Sequence, residues 1–254
     1  MTDWIYEIPG KTLLNVTKLC NAVVDDVVLQ VQKNGILMTA VDASHVAMFA
    51  ITIGEFDENK KEKLKFGVEL SKLVDMITGH TKATKSQTDF VKLEFNNVTK
   101  QLKVSTGDTQ TGINTLDLTT ITDPPRLPNL ENCGMVEAKD VCPKKFAAAL
   151  TKQARFGDLA TLVLNENELQ LTTNTEHYTV ETTLSSRNSE RTIGSQFSMS
   201  YLKPFANRVK DAAKLTLEVG ENTPLLARWQ HEGINENVGF EVRYFLAPRV
   251  ESDY

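Results

Sequence analysis

The chain repeats an order of elements without repeating its letters. A shift of 133 residues superposes Lys11 on Lys144, Asp25 on Asp158, Ile36 on Leu169 and Met38 on Leu171. A shift of 131 then places Val68 on Met199 and Lys72 on Lys203, and a shift near 124 lays Val91–Phe95 on Leu215–Val219. Each half reads helix, strands, helix, strands. That order divides the 254 residues into two similar domains, each with length enough to bury a core.

Strand signals dominate both halves. Eleven short runs (35–41, 45–53, 90–95, 101–106, 111–118, 159–165, 168–173, 178–184, 214–219, 224–229 and 241–247) alternate in period two and are rich in Val, Ile, Leu, Thr and aromatics. Turn chemistry separates most of them, as at Lys33-Asn34-Gly35, Thr106-Gly107-Asp108 and Glu232-Gly233. Apolar residues three and four apart predict helices over Lys11–Ala22, Leu70–Gly79, Pro143–Arg155 and Ser200–Lys210. The first turns Leu13, Leu14, Val16, Leu19 and Val23 toward a core and leaves Lys11, Asn15 and Lys18 on the opposite face. Pro204 falls near the start of the fourth, where a missing N–H is tolerated only in the first turn.

Between the halves lies Thr119–Gly134, with three prolines and several Asn and Asp residues, which reads as an extended connector. Leu127 and Leu130 interrupt its polarity. The expected division is therefore 1–118, connector 119–134, and 135–254. The fold class is α+β, with antiparallel sheets and two helices per domain.

Charge is segregated. Over 10–22, 70–79, 143–155 and 200–210 the helices carry ten Lys or Arg against one acid, Asp75, while the remaining residues hold 18 basic and 32 acidic side chains. A solvated helix mixes both signs, because Glu–Lys pairs four apart stabilise it. Helix faces this basic on a chain of net charge −5 point to a polyanion. Lysines without interleaved aromatics contact phosphates as mobile point charges, so sequence-independent backbone contact is expected and base readout is not.

Other classes are disfavoured. No apolar run approaches the roughly 20 residues that span a bilayer. The N-terminus has neither a basic nor an apolar leader region, which predicts an intracellular chain. Cys20, Cys133 and Cys142 are odd in number and lack metal-ligand spacing, as expected of free thiols. The sequons at Asn15 and Asn97 are chance matches in such a chain. Asp42-Ala43-Ser44-His45 gathers residue types that hydrolases use, yet a triad is assembled from distant positions and no G-x-S-x-G elbow is present. Asp and Ser there close a turn between strands. An enzyme is not expected, and neither is a cofactor or a metal.

Several stretches, "VDASHVAMF" after "NGILMTA", "PLLARW" and "YFLAPRVE", together with the duplicated helix–strand order, resemble the proliferating cell nuclear antigen (PCNA) family of sliding clamps, in its archaeal form. The resemblance covers the whole chain. It implies a processivity fold in which three subunits form a ring around duplex DNA, with helices lining the hole and sheets outside. Edge strands near 109–116 and 175–184 would pair between subunits. DNA contacts would then come from Lys11, Asn15, Lys18, Lys72, Lys82, Lys144, Lys145, Lys152, Arg155, Lys203, Asn207 and Lys210. Such clamps tether DNA polymerase, flap nuclease and ligase through short peptides and are opened by a clamp loader. The resemblance puts Val41, His45, Leu127, Leu130, Pro224, Phe245, Ala247 and Pro248 around the peptide pocket. It implies a protein bound to chromosomal DNA, cytoplasmic in an archaeon or nuclear in a eukaryote. The alternative it leaves open is a subunit of a hetero-trimeric or checkpoint clamp that needs paralogous chains.

Overall fold

The computed structural model describes residues 3–57, 60–83, 90–121, 127–130, 132–138, 141–165, 168–185, 192–210, 212, 214–231 and 240–249, without the side chains of 82, 83, 207 and 231. Two compact units emerge, one of residues 1–43, 49–125 and 232–240, the other of 44–48, 126–231 and 241–254.

The first unit runs β1 (Trp4–Pro9), α1 (Gly10–Cys20), β2 (Asp26–Val31), β3 (Gly35–Val41), β4 (Ala47–Gly54), β5 (Leu64–Glu69), α2 (Leu70–Ala83), β6 (Phe90–Asn96), β7 (Gln101–Thr106) and β8 (Thr109–Asn114). One antiparallel sheet has the order β1-β6-β7-β8, and β5-β2-β3-β4 lie side by side in the other. The helices pack on each other and on β1, β5, β7 and β8. Phe66 and Phe95 stack with centroids 4.2 Å apart at the heart of this core.

The second unit contains β9 (Val136–Ala138), α3 (Pro143–Gln153), β10 (Leu159–Leu164), β11 (Leu169–Asn174), β12 (Thr179–Ser185), β13 (Ile193–Ser198), α4 (Met199–Val209), β14 (Lys214–Val219), β15 (Leu225–His231) and β16 (Phe240–Leu246). Its orders, β12-β11-β10-β13 and β16-β15-β14-β9, restate those of the first unit. Phe205 anchors the core, with ring centroids 5.7 Å from Phe146 and 5.1 Å from both Trp229 and Tyr244.

The duplication reaches single hydrogen bonds. The Leu70 amide donates to the Asp25 carbonyl at 2.8 Å, and the Met199 amide donates to the Asp158 carbonyl at 2.8 Å. Asp25 and Asp158 stand 133 apart, but Leu70 and Met199 stand 129 apart, so the expected shift of 131 is corrected by two residues. Lys72 therefore answers to Tyr201 and not to Lys203. The shift of 124 holds, since Glu94 pairs with Ile5 in β1 as Glu218 pairs with Glu137 in β9.

Two helix details also differ from expectation. In α1 the buried face is Leu13, Val16, Thr17, Leu19 and Cys20, while Leu14 is half-buried and Val23 lies beyond the last turn. Thr17 can be buried because its hydroxyl donates to the Leu13 carbonyl at 2.9 Å. Pro204 is the sixth residue of α4 and so lies in its second turn, not its first.

Candidate nucleic-acid interface and docking surface

On each helix, the face opposite the core carries the cations. In α1, Lys11 is exposed and Asn15 and Lys18 are half-exposed, at i, i+4 and i+7 on one stripe. In α3, Lys144, Lys145 and Lys152 are exposed, followed by exposed Arg155 just past the helix end. In α4, Lys203 is exposed, and Lys210 stands exposed at the C-cap. The side chains of Lys82 and Asn207 lie outside the described residues.

No helix places an acid in its first turn. Carboxylates there would stabilise each helix through its dipole, by about 0.3–1 kcal/mol apiece. Their omission leaves the first turns free of negative charge at a cost in stability. Among the described residues, Lys72 alone of the expected contact cations has an ion pair, at 2.5 Å from Glu69. That pair also holds the Glu69 carboxyl below the usual range, with help from Ser71. Lys72 is thus partly neutralised, whereas the stripes of α1, α3 and α4 are not.

The expected docking residues fall in different surroundings. His45 is exposed in the turn before β4, with φ of 56°, so the expected strand over 45–53 begins two residues later. Within the second unit, the neighbouring Val46 carbonyl accepts the Ala247 amide at 2.8 Å, which clips the C-terminal tail beside His45. The Arg249 amide in turn donates to the Gln196 carbonyl at 2.7 Å. Ala247, Pro248, Pro224, Leu127 and Leu130 are half-buried. Phe245 is 6% exposed, which leaves little of its ring to meet a ligand. Val41, in the first unit, lines a cleft of about 400 Å³ with Ala43, Thr120 and Ile121. The residues 122–126 of the connector, among them Asp123-Pro124-Pro125, lie outside the described residues.

Sequence reasoning missed the backbone clip at Val46 and Gln196, since a carbonyl acceptor leaves no mark in residue type. It also missed His80, which is 3% exposed and places Nε2 3.2 Å from Thr111 Oγ1, joining α2 to β8. Burial without a charged partner holds this imidazole below the ordinary histidine value. Both β8 and β12 end their sheets and so present unpaired backbone within their own units.

No protein-family model matches the chain. A curated relative from Methanocorpusculum labreanum, named DNA polymerase sliding clamp, is 28% identical over 250 residues, spanning 92% of this chain and 93% of that protein. The structure is similar to that of A. fulgidus PCNA bound to the C-terminal region of FEN-1, with a TM-score of 0.81, 23% identity and complete coverage of both chains. It is also similar to PCNA from Entamoeba histolytica, with a TM-score of 0.80 at 19% identity over 98% of this chain and all of that one. The fold is that of PCNA.

Proposed function

We infer that this chain is a sliding clamp of the PCNA type, a processivity factor that encircles duplex DNA and tethers replication and repair enzymes to it. The observation that carries the reading is the stripe of unpaired cations on the helix faces, present in both units. Relatives named DNA polymerase sliding clamp and the PCNA fold support it.

Three copies close a ring by pairing β8 of one with β12 of the next. Each of those edges offers a row of free amides and carbonyls, and six or seven residues give enough length for a ladder. The helices then face the duplex. Lysines at Lys11, Lys18, Lys144, Lys145, Lys152, Lys203 and Lys210, with Arg155, meet phosphates without reading bases. Asn15 belongs to the same surface, and Lys72 contributes less because Glu69 holds it.

Retention is topological. A closed ring leaves DNA only by opening an interface, so weak phosphate contacts suffice and permit sliding. The chain performs no catalysis; it raises the effective concentration of an enzyme at its template. Flap nuclease, polymerase and ligase dock through a short peptide on His45, Leu127, Leu130, Pro224, Ala247 and Pro248, with Val41 and Phe245 at the margin. A clamp loader opens the ring. The domains divide as 1–118, connector 119–134, and 135–254.

The test is loading onto a nicked circular plasmid by an archaeal clamp loader, followed by a wash in high salt. Clamp retained on the circle and released on linearisation supports the reading. Equal retention on both forms would show binding by contact and not by encirclement.

A further inference from the structure

The first unit holds a cleft of about 400 Å³ whose chemistry the reading above does not use. Its floor is one row across three strands, because Val28 of β2 pairs with both Gly67 of β5 and Thr39 of β3. Gly67 leaves room there. A Cβ at that position would stand 1.9 Å from Ile121 Cδ1, so the missing side chain lets the segment after β8 cross the sheet. The Leu116 amide anchors that strap on the Gly67 carbonyl at 2.9 Å. Strand alternation puts Asp26 and Val41 on the same face as Val28 and Thr39.

Three observations give the cleft a sign. Asp25 and Asp26 both line it, and the cross-strand partner of Asp26 is a third acid, Glu69. Like charges opposed across strands are destabilising, and Lys72, which offsets them, is already held by Glu69. The residues that follow α1, Asn21–Val24, form another wall, so the negative end of the helix dipole adds to the carboxylates. Thr39, 4% exposed, has a buried hydroxyl with no hydrogen-bond partner in the cleft floor. A buried polar atom left unpaired is costly, so this hydroxyl is a hydrogen-bonding group that a ligand could satisfy.

We propose that this cleft receives the basic side chain of a protein partner, with its guanidinium or ammonium head against Asp25, Asp26 and the Thr39 hydroxyl. The apolar wall of Val28, Val41 and Ile121 covers the aliphatic stem. Size argues for an organic cation: at about 30 Å³ per water the cleft holds on the order of ten waters, far more than a bare ion needs. Among the described residues, no three His, Cys, Asp or Glu side chains are grouped to hold a metal. The strap that roofs the cleft continues in sequence into the connector; the choice of a protein partner as the source rests on the docking reading.

Methyl spectra of the intact protein test the proposal, with N-acetyl-arginine amide as the probe. The Val28, Val41 and Ile121 methyl signals should shift saturably. N-acetyl-citrulline amide, nearly isosteric but uncharged, should bind at least tenfold more weakly. Asp26→Asn should weaken the arginine probe severalfold, and so should Thr39→Val. The probe lacks any apolar anchor, so Leu127→Ala with Leu130→Ala should leave its binding unchanged even where enzyme docking is lost. Equal binding of the citrulline probe, or no change in Asp26→Asn, would overturn the proposal. Spermidine saturating the same signals at lower concentration than the arginine probe would overturn the assignment to a protein side chain.

Discussion

Tyr244 donates its hydroxyl to the Tyr201 carbonyl at 3.2 Å, and so ties β16 to the turn of α4 that contains Pro204. Pro204 removes the amide that would bond the Ser200 carbonyl and crowds the turn before it. Tyr244 is fully buried, with its ring stacked on Phe205. A buried tyrosine thus braces the backbone one residue beyond the carbonyl that the proline leaves without its helical donor. Tyr244→Phe keeps the ring and removes the brace. Chemical denaturation should show a loss of about 1 kcal/mol. A variant as stable as the parent would mean that the bond contributes nothing.

His80 gives stability a definite pH dependence. Its folded value lies below the unfolded value of about 6.5, so the folded state binds fewer protons there. The stability it contributes is complete above that unfolded value and is lost as pH falls through the folded one. Because His80 meets Thr111 in β8, acid should loosen the edge strand proposed to close the ring. Melting temperatures at pH 7.5 and 5.5 should differ less in His80→Asn than in the parent. Equal differences would contradict the role given to this imidazole.

The helix stripes should set sliding and not assembly. Replacing Lys11, Lys18, Lys144 and Lys152 by alanine leaves β8 and β12 untouched, so the ring should form. The dependence of DNA affinity on salt should flatten by up to about 0.9 in log–log slope for each lysine that contacts phosphate. An unchanged slope would remove these helices from the DNA surface.

Leu127→Ala with Leu130→Ala should abolish stimulation of a polymerase on a primed circle while the mass of the assembly stays the same. Both leucines are half-buried on an otherwise polar connector. Stimulation surviving in the double variant would place docking elsewhere.

Gly67→Val should detach the strap, since its side chain would occupy the space of Ile121. Hydrogen exchange of the Leu116 amide, which donates to the Gly67 carbonyl at 2.9 Å, should then accelerate at least tenfold. Unaltered protection would mean that the strap is held from another side.

Much of this was legible in residue order. The four helices were visible because apolar spacing and cation stripes coincide on them, as at Lys11, Asn15 and Lys18 opposite Leu13 and Val16. Strands β1, β2, β5, β9 and β13 were not among the expected runs. β2 reads as nearly continuous apolar sequence, β13 is weakened by Gly194 and two serines, and β5 by Gly67, whose need for an empty side chain comes from Ile121 far along the chain. Register was read two residues wrong at Lys72 because the loops between β4 and β5 and between β12 and β13 differ in length. The docking residues were harder still. The resemblance puts Phe245 at the pocket, but Tyr244, Phe245 and Leu246 are buried in succession, which alternation cannot express.

We propose that three copies of this one chain close a ring through β8 and β12. Light scattering on the purified protein at micromolar concentration gives the mass of the assembly. With a chain of 28.3 kDa, a homotrimer has a mass of about 85 kDa, and that is the expected result. A mass of one chain, rising only when paralogous subunits are added, would contradict it.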